Sequence, residues 1–333
     1  MFEAVASARL AGAGTDFAAA REMLRAGRPA GDPDESMVLN IHEALHFARD
    51  QASRPLSAQT VLLLHRLLTQ GIPANAGSSG RLRREDEIPP ALPEGGAAAP
   101  AAGELPARLD AICAFANGVS PGVFIHPVIR GILLHFWIAH DRPFADANGR
   151  AARVLFYWSL WRQGYGVFDF LPLSAALVRD PERYRRSFWE AETDDNDLTY
   201  FIMAQLDAIR TGMSTWREDL ARKERELKDA AGRLPGFASL NPRQRAVLGR
   251  AVRRPDTDFV IAGHQRSHGV THQTARDDLF DLVRREYLTV TRERRVYHFR
   301  MAAEQPRRVP IARTRRRGAK PSVAAEALPT SLL

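Results

Sequence analysis

The sequence predicts a mostly α-helical protein in two parts, a helical body over residues 1–235 and a smaller helix-and-hairpin module over 238–300. Three observations carry this. Apolar residues recur at helical spacing behind capping residues through the first 235 positions. After residue 240 the pattern changes to short helical runs followed by β-type alternation. Charge divides at the same place: residues 238–333 hold 20 Lys and Arg against 9 Asp and Glu, whereas residues 1–237 hold 27 against 30. The basic part therefore suits an acidic partner such as nucleic acid. A chain of 333 residues is long enough for two domains. Its one cysteine, Cys113, excludes an internal disulfide and fits a reducing compartment. No apolar run is long enough to span a bilayer. Glu3 and Arg9 interrupt any secretory signal, so a cytoplasmic protein with no membrane partner is expected.

In chain order, the Ala-rich start reads as a helix ending at Gly12. Asp32-Pro33 caps and opens a second helix, with Val38, Ile41, Leu45 and Ala48 on one face. Ser57 opens another, with Val61, Leu64 and Leu68 inward and Gly71 as its stop. Residues 72–104 are rich in Gly, Pro, Ala and Ser, a loop composition. Ile129, Ile132, Leu133 and Phe136 set a helix against the core. Residues 150–161 are apolar on nearly every side, as in a buried helix. Asp180-Pro181 starts a further helix. Near 197–233 a long connecting helix places Ile202, Leu206, Ile209, Met213, Trp216 and Leu220 at steps of four and three, with Leu227 one heptad further. Its start is expected to pack on the core. The same seam could pair with a second chain as a homodimer, although the repeat is short for a coiled coil.

The segment Arg142-Pro-Phe-Ala-Asp-Ala-Asn-Gly-Arg-Ala-Ala-Arg153 carries most of the chemistry. Asn148-Gly149 stands at the start of the buried helix, where free N–H groups and the positive dipole end attract anions. Arg150 and Arg153, three apart, share a face and need anionic partners, because an unpaired buried charge is costly. Asp146 can lie beside a polyphosphate only if a cation such as Mg²⁺ bridges them. The plainer alternative is a helix cap whose arginines pair with structural carboxylates.

This segment resembles the Fic (Fido) signature HPFx(D/E)GNGRxxR. Pro143, Phe144, Asp146, Asn148, Gly149, Arg150 and Arg153 match, while Arg142 replaces the histidine and Ala147 the first glycine. His126-Pro127, and His135 seven residues before Arg142, resemble upstream landmarks of the same family. The resemblance covers most of residues 1–235. It implies a Fic-type helical bundle with a small β-hairpin flap, which Gly80-Arg81-Leu82-Arg83 would approach. It also implies binding of ATP and Mg²⁺ and transfer of AMP to a hydroxyl of a target protein. By the same resemblance Asp146 would hold the metal, Asn148, Gly149 and Arg150 the α- and β-phosphates, and Arg153 the terminal phosphate. Position 142 would carry the general base. Arginine stays protonated, so Arg142 cannot act as that base, though it could bind phosphate. His140 is a substitute base or a packing residue at the helix end. Ala147 is expected to reshape the anion pocket, since a Cβ restricts positive φ.

Residues 7–12 resemble the family's inhibitory pattern (S/T)xxxE(G/N) through Ser7 and Gly12, with Ala11 in place of the glutamate. That glutamate would pair with Arg153, so its loss implies an Arg153 free for phosphate. His42-Glu-Ala-Leu-His46 matches the zinc motif HExxH, but no third-ligand motif follows, and zinc catalysis is not expected.

Residues 269–285 resemble the turn and recognition helix of a winged helix-turn-helix, with Thr271 as N-cap and Ala275, Leu279, Leu282 and Val283 inward. His272, Gln273, Thr274 and Arg276 would face DNA, and Arg294 and Arg295 of a wing hairpin over 288–300 would meet phosphates. Such domains also serve assembly. Residues 301–333 read as a basic disordered tail. Three functions remain open: an ATP–Mg²⁺-binding Fic protein with catalysis weakened or lost, acting as a regulator; an active adenylyltransferase, or other phosphate-moiety transferase, using a substitute base; and a DNA-binding regulator on a Fic scaffold.

Overall fold

A computed structural model describes residues 1–75, 77–87, 98–234, 236–293 and 296–302. The chain falls into two compact units that divide between Ala221 and Arg222. The division lies inside the long connecting helix rather than beyond it.

In the first unit, α1 (Phe2–Leu10), α2 (Phe17–Ala26), α3 (Pro33–Asp50) and α4 (Ala58–Thr69) precede the loop-rich region. After it come α5 (Leu105–Ala116), α6 (Pro127–Asp141), α7 (Asn148–Arg162), α8 (Leu173–Leu177), α9 (Pro181–Thr193) and α10 (Thr199–Arg233). The starts of α3, α4 and α9 follow from local chemistry, because Asp32, Ser57 and Asp180 each accept a backbone N–H of the first turn. The centre of the unit is α7. Residues Arg150 to Leu160 are all buried, with Phe156, Tyr157 and Trp158 among the largest enclosed side chains. Helices α1, α3, α4 and α6 pack around it. Gly131 lets α6 approach closely: a Cβ there would stand 3.3 Å from Phe156 Cδ2.

Only the first turns of α10 join this core. Phe201 is fully enclosed and Ile209 buried, whereas Leu220 is 52% exposed. Met213 and Trp216 are half-buried against the core. The flap expected within residues 72–104 falls largely on 88–97, outside the described residues. The described residues 77–87 form turns and contain no strand.

The second unit has α11 (Pro242–Arg253), β1 (Phe259–Val260), α12 (Ile261–His268), α13 (His272–Arg284), β2 (Leu288–Glu293) and β3 (Val296–Met301). The strands form an antiparallel sheet in the order β1-β3-β2. Asn241 and Gln244 close a capping box on α11. Thr271 caps α13, which buries Ala275, Leu279 and Leu282. Asp278 lies on that buried face and is satisfied by Arg243, Asn241 and His264. Val247, Leu248, Leu288 and Phe299 complete a core separate from that of the first unit. Arg294, Arg295 and the basic tail beyond residue 302 lie outside the described residues.

Candidate phosphate-binding site

The site is built on the turn between α6 and α7. Arg142 closes α6 in the left-handed region with φ 47°. Ala147 opens α7 from the same region with φ 64°. Ala147 thus takes the positive φ for which glycine was expected, with its methyl buried in the core. Asn148 staples the turn: its Oδ1 accepts the Phe144 N–H at 2.9 Å and its Nδ2 donates to the Phe144 carbonyl at 2.7 Å. Its side chain is thereby committed to shaping the loop.

Asp146 projects from the turn with its side chain 52% exposed. Its Oδ2 accepts from Arg150 Nη2 at 2.6 Å and from Asn75 Nδ2 at 2.9 Å. Burial alone would raise its pKa, but the charge of Arg150 and these hydrogen bonds hold it below the usual value. Arg150 is buried and also donates to the Leu68 carbonyl at 3.1 Å. Arg150 thus pairs with the motif's own carboxylate.

Arg153 departs from expectation. Instead of standing free it is 4% exposed, and its guanidinium is held by Ser7 of α1. Arg153 Nε donates to Ser7 Oγ at 2.8 Å and Nη2 to the Ser7 carbonyl at 2.9 Å. Ala11 is exposed at the C-terminus of α1, with Gly12 just beyond it. The contact with the motif arginine comes one helical turn earlier than the pattern places it. Glu3, a further turn back on the same face of α1, accepts from Tyr157 Oη at 2.8 Å and from Ser174 N at 2.9 Å. Burial raises its carboxyl pKa, and the hydrogen bonds of Ser174 and Tyr157 and the charge of Arg153 oppose that rise. α1 is therefore tied to α7 by polar bonds at two levels.

Three residues hold the turn: His65 and Asn75, which sequence reasoning missed, and Arg83, which it placed only at the approach to the flap. His65 stacks flat on Phe144 with centroids 3.9 Å apart, and its Nδ1 accepts the Gly80 N–H at 3.1 Å. Its Nε2 is then the donor to the Asp146 carbonyl at 3.2 Å. Burial lowers its pKa to about 4, so it is neutral near pH 7. Asn75 meets Asp146, as above. Arg83 clamps the other side, its Nε donating to the Arg142 carbonyl at 2.8 Å and its backbone N–H to the Pro143 carbonyl at 3.0 Å. A lone histidine beside Leu64 in an otherwise apolar helical face was the available signal for His65. Nothing local marked Asn75.

His140 lies two residues before Arg142 and is engaged elsewhere. Its Nδ1 bonds Glu192 Oε1 of α9 at 2.9 Å, and its ring stacks on Phe136. His135 is enclosed among Phe156, Tyr184, Phe188 and Phe201, with Nε2 on Tyr184 Oη at 2.8 Å. The rings of His42 and His46 meet edge to face, and among the described residues no set of three metal-ligating side chains includes them. A separate open cleft of about 430 Å³ lies between α9 and the start of α10, away from the motif turn.

Residues 55–160 match the family model described as the Fic/DOC family. A protein adenylyltransferase Fic of Nematostella vectensis is 28% identical over 175 residues, which are 51% of this chain and 36% of that protein. The match thus spans little more than a third of the curated relative. A Fic family protein from Desulfovibrio desulfuricans G20 has a similar structure at 19% identity and a TM-score of 0.57, covering 92% of this chain and 88% of that one. Fic-1 from C. elegans is similar at 19% identity and a TM-score of 0.54, covering 66% of this chain and 63% of that one. At such identities the likeness is one of fold. The turn between α6 and α7 and the buried helix that follows it lie inside the matched segment, and the chain carries a Fic/DOC family domain at residues 55–160.

Proposed function

We propose that the first unit is an ATP–Mg²⁺-binding Fic domain related to protein adenylyltransferases. In this reading its transfer chemistry is lost or weakened at Arg142, and its phosphate site is held closed by α1. The observation that carries the reading is the turn itself. Its left-handed Ala147 and the Asn148 staple keep backbone N–H groups at the head of α7, despite two departures from the signature. A half-exposed carboxylate is a hard oxygen donor of the kind Mg²⁺ takes, and one carboxylate suffices where phosphates and water supply the other ligands. Asp146 fits that requirement, sharing its Oδ2 with Arg150 and Asn75. Bound nucleotide would supply the reactive phosphoryl group. The chain's own part would be to orient it with Arg150 and Arg153 and to take a proton from the attacking hydroxyl. Arg142 cannot take that proton, because a guanidinium stays charged. His140 gives the second reading, an active enzyme, little support while Nδ1 is committed to Glu192.

Incubation with labelled ATP and a lysate tests the chemistry. No label transfer is expected from the wild-type chain, and transfer is expected from Arg142→His combined with Ser7→Ala. Transfer by the wild type at a rate the double variant does not exceed would overturn the reading.

A further inference from the structure

The second unit carries an arginine arrangement that the proposed nucleotide site does not use. Arg276 is exposed on α13, and its guanidinium lies over the Phe280 ring, 5.0 Å from the centroid. Arg292 is exposed on β2 and lies over Tyr297, 5.4 Å from the centroid. Phe280 and Tyr297 touch edge to face at 5.3 Å. The two guanidiniums thus cap the ends of one continuous aromatic contact running from the helix to the hairpin. Strand register supports the same placement. Arg292 pairs across from Tyr297 and Val290 from Phe299, so Arg292 continues the face that packs on α13. Glu293 points to the opposite face of the strand.

Several other arginines of this unit are paired internally. Arg243 pairs with Asp278, Arg253 with Glu226, and Arg284 and Arg285 with Asp281. Among the described residues, Arg276 and Arg292 form no ion pair. The nearest carboxylate in sequence to Arg276, Asp277, accepts from Gln273 at 2.9 Å. Stacking on a ring restricts rotamer freedom without neutralising the charge, so both guanidiniums keep a positive charge at the surface.

The surrounding elements indicate which anion. α12 ends at Gly269 in the left-handed region, φ 61°, and two residues later Thr271 caps α13. This is a helix-turn-helix whose second helix presents His272, Gln273 and Arg276 outward, followed by a two-stranded hairpin. A helix of this kind enters the major groove of a duplex, while the adjoining hairpin meets the backbone. We propose that the second unit binds double-stranded DNA, with Arg276 on the groove-facing helix and Arg292 on the hairpin held in register by the Phe280–Tyr297 contact. This assigns the hairpin contact to Arg292, on described backbone, in addition to the Arg294 and Arg295 expected from sequence.

Fluorescence anisotropy of the full chain with a mixed-sequence duplex of about 25 base pairs, titrated with salt, tests this. Wild-type affinity is expected to fall steeply with salt. The Arg276→Ala/Arg292→Ala variant should lose at least tenfold in affinity at about 0.1 M salt, with the log–log salt slope shallower by about one to two. Arg254→Ala, an exposed arginine at the end of α11, should change affinity less than twofold. Absence of salt-dependent binding overturns the proposal. So does a double variant that binds like wild type, or an Arg254→Ala loss as large as the double variant's. Circular dichroism showing the double variant unfolded would transfer the test to Arg276→Lys/Arg292→Lys. That variant keeps charge but loses the planar stack, and should lose at least threefold; wild-type affinity in it would equally overturn the proposal.

Discussion

Arg142 and Ala147 bracket the motif turn, and both adopt a backbone conformation that costs an ordinary residue roughly 1–2 kcal/mol. Tertiary contacts stabilise that choice, with Arg83 on one side of the turn and His65 stacked on Phe144 at the other. His65 gives this part of the fold a pH signature. Its pKa is about 4 in the folded chain, lowered chiefly by burial, against about 6.5 when unfolded. Between those values the unfolded chain binds a proton that the folded chain refuses, so stability falls as pH falls through that window. Passing from pH 7 to 5 should remove about 2 kcal/mol through His65. His135, lowered to about 3 by the same cause, acts in the same direction. Urea midpoints at both pH values should show a smaller loss for His65→Asn than for wild type. An unchanged loss would mean that His65 is not the buried neutral group described. Residue chemistry was partly legible in the sequence. The motif residues Asp146 and Arg150 could be picked out by their spacing, but no local pattern could tell that Arg150 bonds Asp146 or that Arg153 meets a serine 146 positions away.

Among elements, α7 is the one on which the others depend, and its close contact with α6 is set by Gly131. Gly131→Val should force Phe156 and Leu160 aside and destabilise the first unit by about 1–3 kcal/mol, seen as a lower melting temperature. A melting temperature equal to wild type would show that the interface has slack. The starts of α3, α4, α9 and α13 were readable because each has a polar cap just ahead of its helical pattern. The role of α1 was not readable. An Ala-rich helix shows little amphipathic pattern, and its two important side chains, Glu3 and Ser7, act through partners distant in sequence. Ala11 implied a free Arg153, whereas Ser7, one turn earlier, holds it. The long α10 illustrates the same limit: its heptad seam serves the core up to Trp216 and leaves Leu220 exposed.

The two units have separate cores, and the proposed nucleotide and DNA sites fall in different units. The charge division seen in the sequence maps onto this division, with the basic surplus in the second unit and the motif turn in the first. Among the described residues no helix is long and apolar enough to cross a membrane. In the first unit Ser7 holds Arg153, the arginine that the proposed function assigns to phosphate. Release of that arginine should therefore govern nucleotide affinity. Calorimetric titration of the full chain with ATP and Mg²⁺ measures this most directly. Wild type should bind weakly, and Ser7→Ala about tenfold more tightly because it frees one charge-assisted hydrogen bond of Arg153. Arg153→Lys, which keeps the charge but not the guanidinium fork, should lose that gain when added to Ser7→Ala. Equal affinity in all three chains, or no binding by any of them, would contradict a phosphate site gated by α1.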